Sequence, residues 1–473
     1  MDLKGKKVLV FGAGKSGIGA ADLLGSAGAQ PVIYDGNADL DKEAVLHKTN
    51  GKYTPEIWAG DFPERALDSL DLIVLSPGVP TDLPLVKSFY EKGLPVWSEV
   101  ELAYRTGKGE VLAITGTNGK TTTTALLGKI MGDARESVFV VGNIGTAYTS
   151  KSLEMREDSV TVAEISSFQL ETIDQFRPKV SAILNITEDH LNRHHTMEEY
   201  IRVKELITKN QGPEDVCVLN YEDEVLRKFG ENVVPKVVYF SSLRKLDQGI
   251  YLDGDQIMLK TEKEEIPIVK TEELKILGRH NHENVMAAAA MAYYAGVSVE
   301  SIRKSVCEFV AVPHRIEYVT EKNGVAYYND SKGTNPDAAI KGIQAMNRPT
   351  LLIGGGYDKP YGYSLFNLDA MATICHILSD GEDDLWQYSM DDGRNMQKAV
   401  AWLFPYIADK SSWPFAEDVM FWDEWPVAQP ALLFSICNTS NRTYLEIWKS
   451  LEHFPTNDEV IRNLPIRHPL LWL

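Results

Sequence analysis

The chain has 473 residues, too many for one core, so about two to four domains are expected. Its composition is that of a globular protein, and a formal charge of -19 argues against nucleic-acid and anionic-membrane partners, so phosphate-bearing ligands must be held by local positive spots. Cys217, Cys307, Cys375 and Cys437 lie far apart, with neither CxxC nor zinc spacing, which points to core thiols in a reducing compartment. No apolar run reaches about 18 residues and no apolar leader follows Met1, so a cytoplasmic protein without membrane insertion is expected.

In chain order, Lys7 to Phe11 reads as a buried strand, followed by the Gly12-Ala13-Gly14-Lys15-Ser16-Gly17 turn, a helical stretch to Ala27, and a second strand, Pro31 to Tyr34, ending in Asp35. This is a nucleotide-type βαβ unit, and with Asp35 it matches the dinucleotide fingerprint, which by itself would support an NAD-dependent oxidoreductase. Asp71 to Leu75 gives another strand, ending in Ser76-Pro77-Gly78; the residues there suit either a ligand loop or plain turn chemistry.

The apolar run Val111 to Ile114 then enters Gly116-Thr117-Asn118-Gly119-Lys120-Thr121-Thr122, with a helix predicted from Thr121 to Met131. Strand, glycine turn and helix start make a phosphate cradle. Main-chain N–H groups and the positive helix end face the anion, Lys120 reaches terminal phosphates, and Thr121 offers a hydroxyl to Mg²⁺. The longer P-loop pattern is not met, because Ile114 stands where its first glycine would. An ATP loop also weighs against the oxidoreductase reading, since a dehydrogenase needs none.

Ser159 to Glu164 reads as a strand that presents Glu164 where a Mg²⁺ ligand would face neighbouring phosphates. Val180 to Ile186 is a further strand, leading to His190, and Glu198 to Thr208 reads as a helix carrying Lys204 beside an apolar face, a position from which lysine ordinarily reaches to water. Asn281 and Asn284 sit on the first turn of an alanine-rich helix and could simply cap it. From Pro313 a third αβ segment is predicted, with strands around Val325 and Leu351 and a polar loop through Asp330, Lys332 and Thr334.

These ordered motifs, over about residues 1–360, resemble the Mur ligases, and among them the members that add D-glutamate to UDP-N-acetylmuramoyl-L-alanine in peptidoglycan precursor synthesis, a pathway serving cell-wall biogenesis, cell shape and division. The resemblance implies a Rossmann-like UDP-substrate domain over 1–104, a central ATP-binding domain over 105–311 and the start of a third Rossmann-like domain over 312–360. It implies that Gly14, Lys15, Ser16, Asp35, Ser76 and Gly78 serve the UDP part of the substrate. Gly116, Thr117, Asn118, Gly119, Lys120, Thr121 and Thr122 would hold ATP, with Asn281 and Asn284 reading adenine. Thr121 and Glu164 would bind Mg²⁺, and His190 a second Mg²⁺ together with Lys204 carried as a carbamate. Asn143, in the Gly142-Asn143-Ile144-Gly145 turn, would lie near substrate and phosphate. Arg315, Asp330 and Lys332 would contact ATP, while Thr334 and Lys359 would face D-glutamate; a monomer is expected.

Beyond Lys359 the sequence changes character. Seven of the nine tryptophans but only three of the 35 glycines lie there, so helical periodicity replaces strand and turn, and the family's late Ser-Pro-Ala type loop is not found. Leu365 to Leu378, Asn395 to Ala408 and Pro430 to Leu451 read as helices in a tail, 361–473, that resembles the closing part of alginate-lyase-like helical toroids. Two consequences are expected: large apolar side chains left exposed, and a ligase fused to a foreign tail that impairs or removes its activity.

Overall fold

In the computed structural model the described residues are 2–143, 145–322, 324–333, 336–350, 361–379, 384–389, 393–415, 417–418, 421–439, 441–462, 464, 466 and 469–472. Two compact units are present, one formed by Met1–Gly333 with Ile340–Met346, the other by Thr334–Ala339 with Asn347–Leu473.

The first unit opens with a five-stranded parallel sheet of β1 (Lys7–Phe11), β2 (Gln30–Asp35), β3 (Glu56–Ala59), β4 (Leu72–Leu75) and β5 (Val96–Ser98), in the order β3-β2-β1-β4-β5. Both faces are covered, which explains the unbroken apolar runs: Val8, Val10, Leu72 and Val74 enter one core, while Leu9, Phe11, Ile73 and Leu75 enter another. Strand order reverses around β1, so the turn after it and the turn after β4 open on one crevice.

A nine-stranded sheet follows: β6 (Glu110–Thr115), β7 (Val138–Gly142), β8 (Val160–Glu164), β9 (Val180–Ile183), β10 (Val216–Asn220), β11 (Lys236–Ser241), β12 (Gly249–Asp253), β13 (Gln256–Lys260) and β14 (Glu265–Lys270). Its order is β14-β13-β12-β11-β10-β9-β6-β8-β7, parallel from β7 to β12 and antiparallel at the β12 to β14 edge. Here the reversal falls at β6, whose neighbours are β8 and β9, with Ile114 opposite Glu164 and Thr115 opposite Ile183. The helices Lys120–Ala134 and Arg279–Tyr294 pack together on one face, and the fully buried run Ala287 to Ala290 lets the second lie close, because alanine adds almost no bulk between helix and neighbour.

Beyond the central sheet lies an antiparallel pair, β15 (Glu317–Lys322) and β16 (Val325–Asn329), of which β16 is the strand expected around Val325 and β15 was not expected. Tyr318, Val319, Val325 and Tyr327 on this pair are exposed, as a two-stranded sheet leaves much of its surface in water. The predicted strand around Leu351, together with Thr334 and Lys359, lies outside the described residues.

The second unit is helical, with helices Tyr361–Leu378, Met396–Ala408, Pro430–Thr439, Arg442–Ser450 and Asp458–Arg462. The single helix expected from Pro430 to Leu451 is two, and Asn441 starts the second by accepting from the Thr443 amide at 3.0 Å. Asp418 caps Tyr361–Leu378 through both oxygens, taking the Tyr361 and Gly362 amides at 2.6 and 2.7 Å. The tail builds its own core around Leu365, Val400, Leu432 and Phe434, with Trp386, Trp413, Trp425 and Trp448 buried in it. Those tryptophans therefore pack among tail residues, so the exposed apolar surface expected of the tail is limited to part of its large side chains. Exposure is confined to others, including Trp402, Phe454 and Leu470. The indole N–H groups of Trp386, Trp413 and Trp448 are buried without an acceptor among the described residues, so the packing is apolar but its polar groups are poorly satisfied.

Asp369 sits in this core, fully buried; it accepts from the Ala431 amide at 2.9 Å and from the Gln429 side-chain amide, and burial pushes its carboxyl well above the usual range. The unfolded chain releases this proton near pH 4 while the folded chain keeps it, so the stabilisation is fully present below that pH and declines as pH rises towards the folded value. Asp369→Asn is expected to raise the denaturant midpoint of the tail, by a margin that widens from pH 5 to pH 8. Tryptophan fluorescence reports it, because seven of the nine tryptophans follow Lys359. A margin that shrinks with pH would contradict a protonated buried acid.

Candidate active site

Thr115 ends β6 and the helix Lys120–Ala134 begins five residues later, so the intervening turn lies at the C-terminal edge of the sheet where its strand order reverses. Gly119 caps the helix at φ 88°, and a Cβ there would lie 2.4 Å from Asn284 Oδ1, so both conformation and space demand glycine. Asn185, just beyond β9, clamps the loop: its Oδ1 accepts from the Asn118 amide at 2.8 Å and its Nδ2 donates to the Asn118 carbonyl at 3.0 Å. Thr117 is held likewise, its hydroxyl 3.1 Å from that of Tyr200, donating to the Thr187 carbonyl and accepting from the Thr187 amide.

Two lysines converge on one carbonyl of this loop. Lys120 Nζ donates to the Gly116 and Thr117 oxygens at 2.8 Å each, and Lys204 Nζ donates to the same Gly116 oxygen at 3.0 Å. Lys204 does not reach water: it is 2% exposed on helix Met197–Glu205, with its ammonium over the Tyr200 ring. Burial and, after it, the Lys120 charge drive its pKa well below that of an ordinary lysine, against the pull of Asp189. Lys120 is also lowered, by burial first and then by Arg315, with Glu164 and Asp189 opposing.

Glu164 ends β8 fully buried; Oε1 accepts from Asn143 Nδ2 at 3.1 Å, and Oε2 has no hydrogen-bond partner among the described residues. A buried carboxylate oxygen left open beside a phosphate loop suits a cation that is completed by phosphate oxygens and water. No group of three or more His, Cys, Asp or Glu that could hold a metal by itself occurs among the described residues. His190 is exposed, at φ 54°, with its ring 5.0 Å from that of Phe168 and its Nε2 3.6 Å from Asp189 Oδ2.

The glycine turn of the first sheet is tightly built. A Cβ on Gly17 would meet the Gly12 carbonyl at 1.9 Å, and Ser76 Oγ donates to that carbonyl at 3.3 Å. Asp35 closes the turn, its Oδ2 taking the Ala13 amide and its Oδ1 the Asn37 amide, both at 3.0 Å. Gly14 and Lys15 are exposed, Ser16 partly so, and Gly78 opens to solvent beside them in sequence order after β4. Lys15 Nζ donates to the Gly145 carbonyl at 3.1 Å, tying this turn to the loop after β7.

Asn281 and Asn284 face inward. Asn284 Oδ1 accepts from Thr123 Oγ1 at 3.2 Å, its Nδ2 donates to Asn281 Oδ1 at 3.1 Å, and Asn281 Nδ2 donates to the Leu277 carbonyl at 2.7 Å. They thus help to dock one helix onto the phosphate-loop helix. Thr121 is half-buried and Thr122 buried on the first helical turn. Arg315 donates to the Lys332 carbonyl at 2.8 Å, and Asp330, raised by burial, accepts from the Ile316 amide at 3.0 Å. Lys332 is exposed. Residues unassigned from sequence but central here are Asn185 and Asp189; the place of Asn185 just beyond a strand that pairs with β6 was the available signal.

Sequence profiles agree with this layout: that of the Mur ligase MurD-like N-terminal domain matches residues 6–98 and that of the Mur ligase middle domain matches 114–292. The chain belongs to the Mur ligase family. A UDP-N-acetylmuramoylalanine--D-glutamate ligase from Lachnospira eligens is 55% identical over 366 residues, covering 77% of this chain and 81% of its own. One of the same name from Lachnoclostridium phytofermentans is 54% identical over 363 residues, 77% of this chain and 80% of its own. Among solved structures, a pseudomurein peptide ligase type C from Methanothermus fervidus covers 78% of this chain and 83% of its own at 19% identity and a TM-score of 0.45. In the tail, the alginate lyase profile matches residues 344–413, beginning upstream of the change in composition at Lys359.

Proposed function

We propose that the chain is an ATP-dependent ligase that joins D-glutamate to UDP-N-acetylmuramoyl-L-alanine, in the cytoplasm, where ATP is supplied. The observation that carries this reading is the phosphate loop with Lys120 and Lys204 on one carbonyl beside the open oxygen of Glu164, in a chain whose relatives bear that name. The turn of the first sheet, through Gly14, Lys15, Ser16, Asp35, Ser76 and Gly78, would take the UDP part. The rival dinucleotide reading has no use for the phosphate loop, since a dehydrogenase needs no ATP site.

A carboxylate oxygen of the substrate attacks the γ-phosphorus of ATP, ADP leaves, and an acyl phosphate results. The amine of D-glutamate attacks the acyl carbon, a tetrahedral intermediate forms and loses a proton, and phosphate departs as the amide is made. No step requires a covalent bond to the protein. Two anions must meet, so neutralisation of charge by Lys120 and Arg315 and alignment by the Asn185 clamp and by Asn143 are the main contributions of the chain. Thr121 and Glu164 would hold one Mg²⁺, and His190 with Lys204 a second; when bound, such ions supply charge neutralisation at the phosphates. Lys204 would serve as a carbamate: its buried amine, held below its ordinary pKa, gives up one proton to become neutral and a second as it adds to CO₂, so that a cation becomes an anionic oxygen ligand.

A second reading, a ligase impaired by its fusion, is favoured by the tail: residues 344–413 match the alginate lyase profile, and the tail closes a core of its own. Phosphate release from ATP that requires both UDP-N-acetylmuramoyl-L-alanine and D-glutamate supports the first reading. Release that needs the UDP substrate but ignores D-glutamate supports the second.

A further inference from the structure

Arg193, in the short helix Leu191–His194 after His190, touches both sheets' loops. Its Nη2 donates to the Val79 carbonyl at 2.8 Å and to Glu171 Oε2 at 2.6 Å, and its Nε donates to Glu171 Oε1 at 3.1 Å. The guanidinium lies 5.1 Å from the centre of the Phe168 ring, whose other neighbours are His190 and His194. The side chains of Arg193 and Glu171 are 12% and 9% exposed, so this forked pair is shielded from water and from salt. The nearby His195 to Asp82 pair spans the same gap but is exposed and contributes little. Val79 closes the Ser76 to Gly78 turn of the first sheet, and Glu171 follows the helix Ser167–Leu170 that begins three residues after Glu164.

We propose that Arg193 is a positioning residue that fixes the turn after β4 against the His190 turn, and so sets the distance between the place where UDP is held and the phosphate loop. This rests on the ligase reading. A ligand held only by the first turn is indifferent to that distance, whereas one that must also reach the phosphate loop binds with its full affinity only when both ends are in register. A forked donor that touches both sides suits that task, and lysine, with a single mobile ammonium, does not.

The test is isothermal titration of the full chain with UDP and, separately, with UDP-N-acetylmuramoyl-L-alanine. The native chain is expected to bind the larger molecule more tightly. Arg193→Met should keep its UDP affinity within about twofold and lose roughly tenfold of the affinity that the larger molecule gains over UDP. Arg193→Lys should lose nearly as much, and it carries the test if the methionine variant does not fold. An unchanged ratio of the two affinities in the variants, or equal weakening for both ligands, overturns the proposal. A native chain that binds neither ligand overturns the ligase reading itself, and the proposal falls with it.

Discussion

Lys120→Ala is expected to leave the fold intact and to lower ATP turnover by roughly 150-fold, the consequence of losing about 3 kcal/mol of transition-state stabilisation in a site shielded from water. The Lys120 ammonium crosses its own loop to the Gly116 and Thr117 oxygens, and it lies within electrostatic reach of Glu164, Asp189 and Arg315. It is therefore placed where charge accumulates as the γ-phosphoryl group moves. The loop itself does not depend on it, because Asn185 and the Thr117 hydroxyl hold the backbone independently. Melting temperature and phosphate release, measured on the same preparation, separate the two contributions. Native-like turnover in the variant would mean that Lys204 or Arg315 carries the charge, and the site would have to be reassigned.

The second large effect is expected at Lys204. Lys204→Ala should reduce turnover by at least the roughly 10- to 100-fold that loss of an outer partner of a metal site costs, whether CO₂ is abundant or scarce. The native chain should lose activity as CO₂ is removed. Short carboxylic acids should restore part of the variant's activity by supplying an oxygen ligand in the space left by the side chain. Carbon-13-labelled CO₂ provides a readout apart from activity, a carbamate resonance in the native chain that is missing from Lys204→Ala. Sign supports the chemistry: burial and the neighbouring Lys120 hold the Lys204 amine below its ordinary pKa, so the neutral, CO₂-reactive form extends to lower pH than at an exposed lysine. A native chain with no carbamate signal and CO₂-independent turnover would remove this role.

What could be read in the sequence was the local chemistry at strand ends. The phosphate loop, Glu164 at the end of β8 and the glycine turn after β1 all follow from an apolar run meeting glycine, lysine or acid, a signal carried by neighbouring residues. Depth was not legible. Periodicity places Lys204 beside an apolar face, but only the packing of Tyr200 and the loop at Gly116 decides that its ammonium goes inward. The Asn281 and Asn284 pair shows the same limit, since helix starts look alike whether they face solvent or another helix. The β15 and β16 hairpin has a local signal in the sequence, since Asn323-Gly324 is a strong turn dipeptide between two strand-like runs. In the tail, the cluster Asn438-Thr439-Ser440-Asn441 likewise marks the break between two helices that apolar periodicity alone joins.

Everything above the level of the site depends on whether the activated substrate is passed to D-glutamate. The most direct measurement incubates the full chain with ATP, UDP-N-acetylmuramoyl-L-alanine and D-glutamate, and follows the UDP-linked product by mass spectrometry alongside phosphate. The account predicts one amide-linked D-glutamate per phosphate released, with neither formed when the UDP substrate is omitted. Phosphate released at the same rate without D-glutamate, and no amide product, would contradict it.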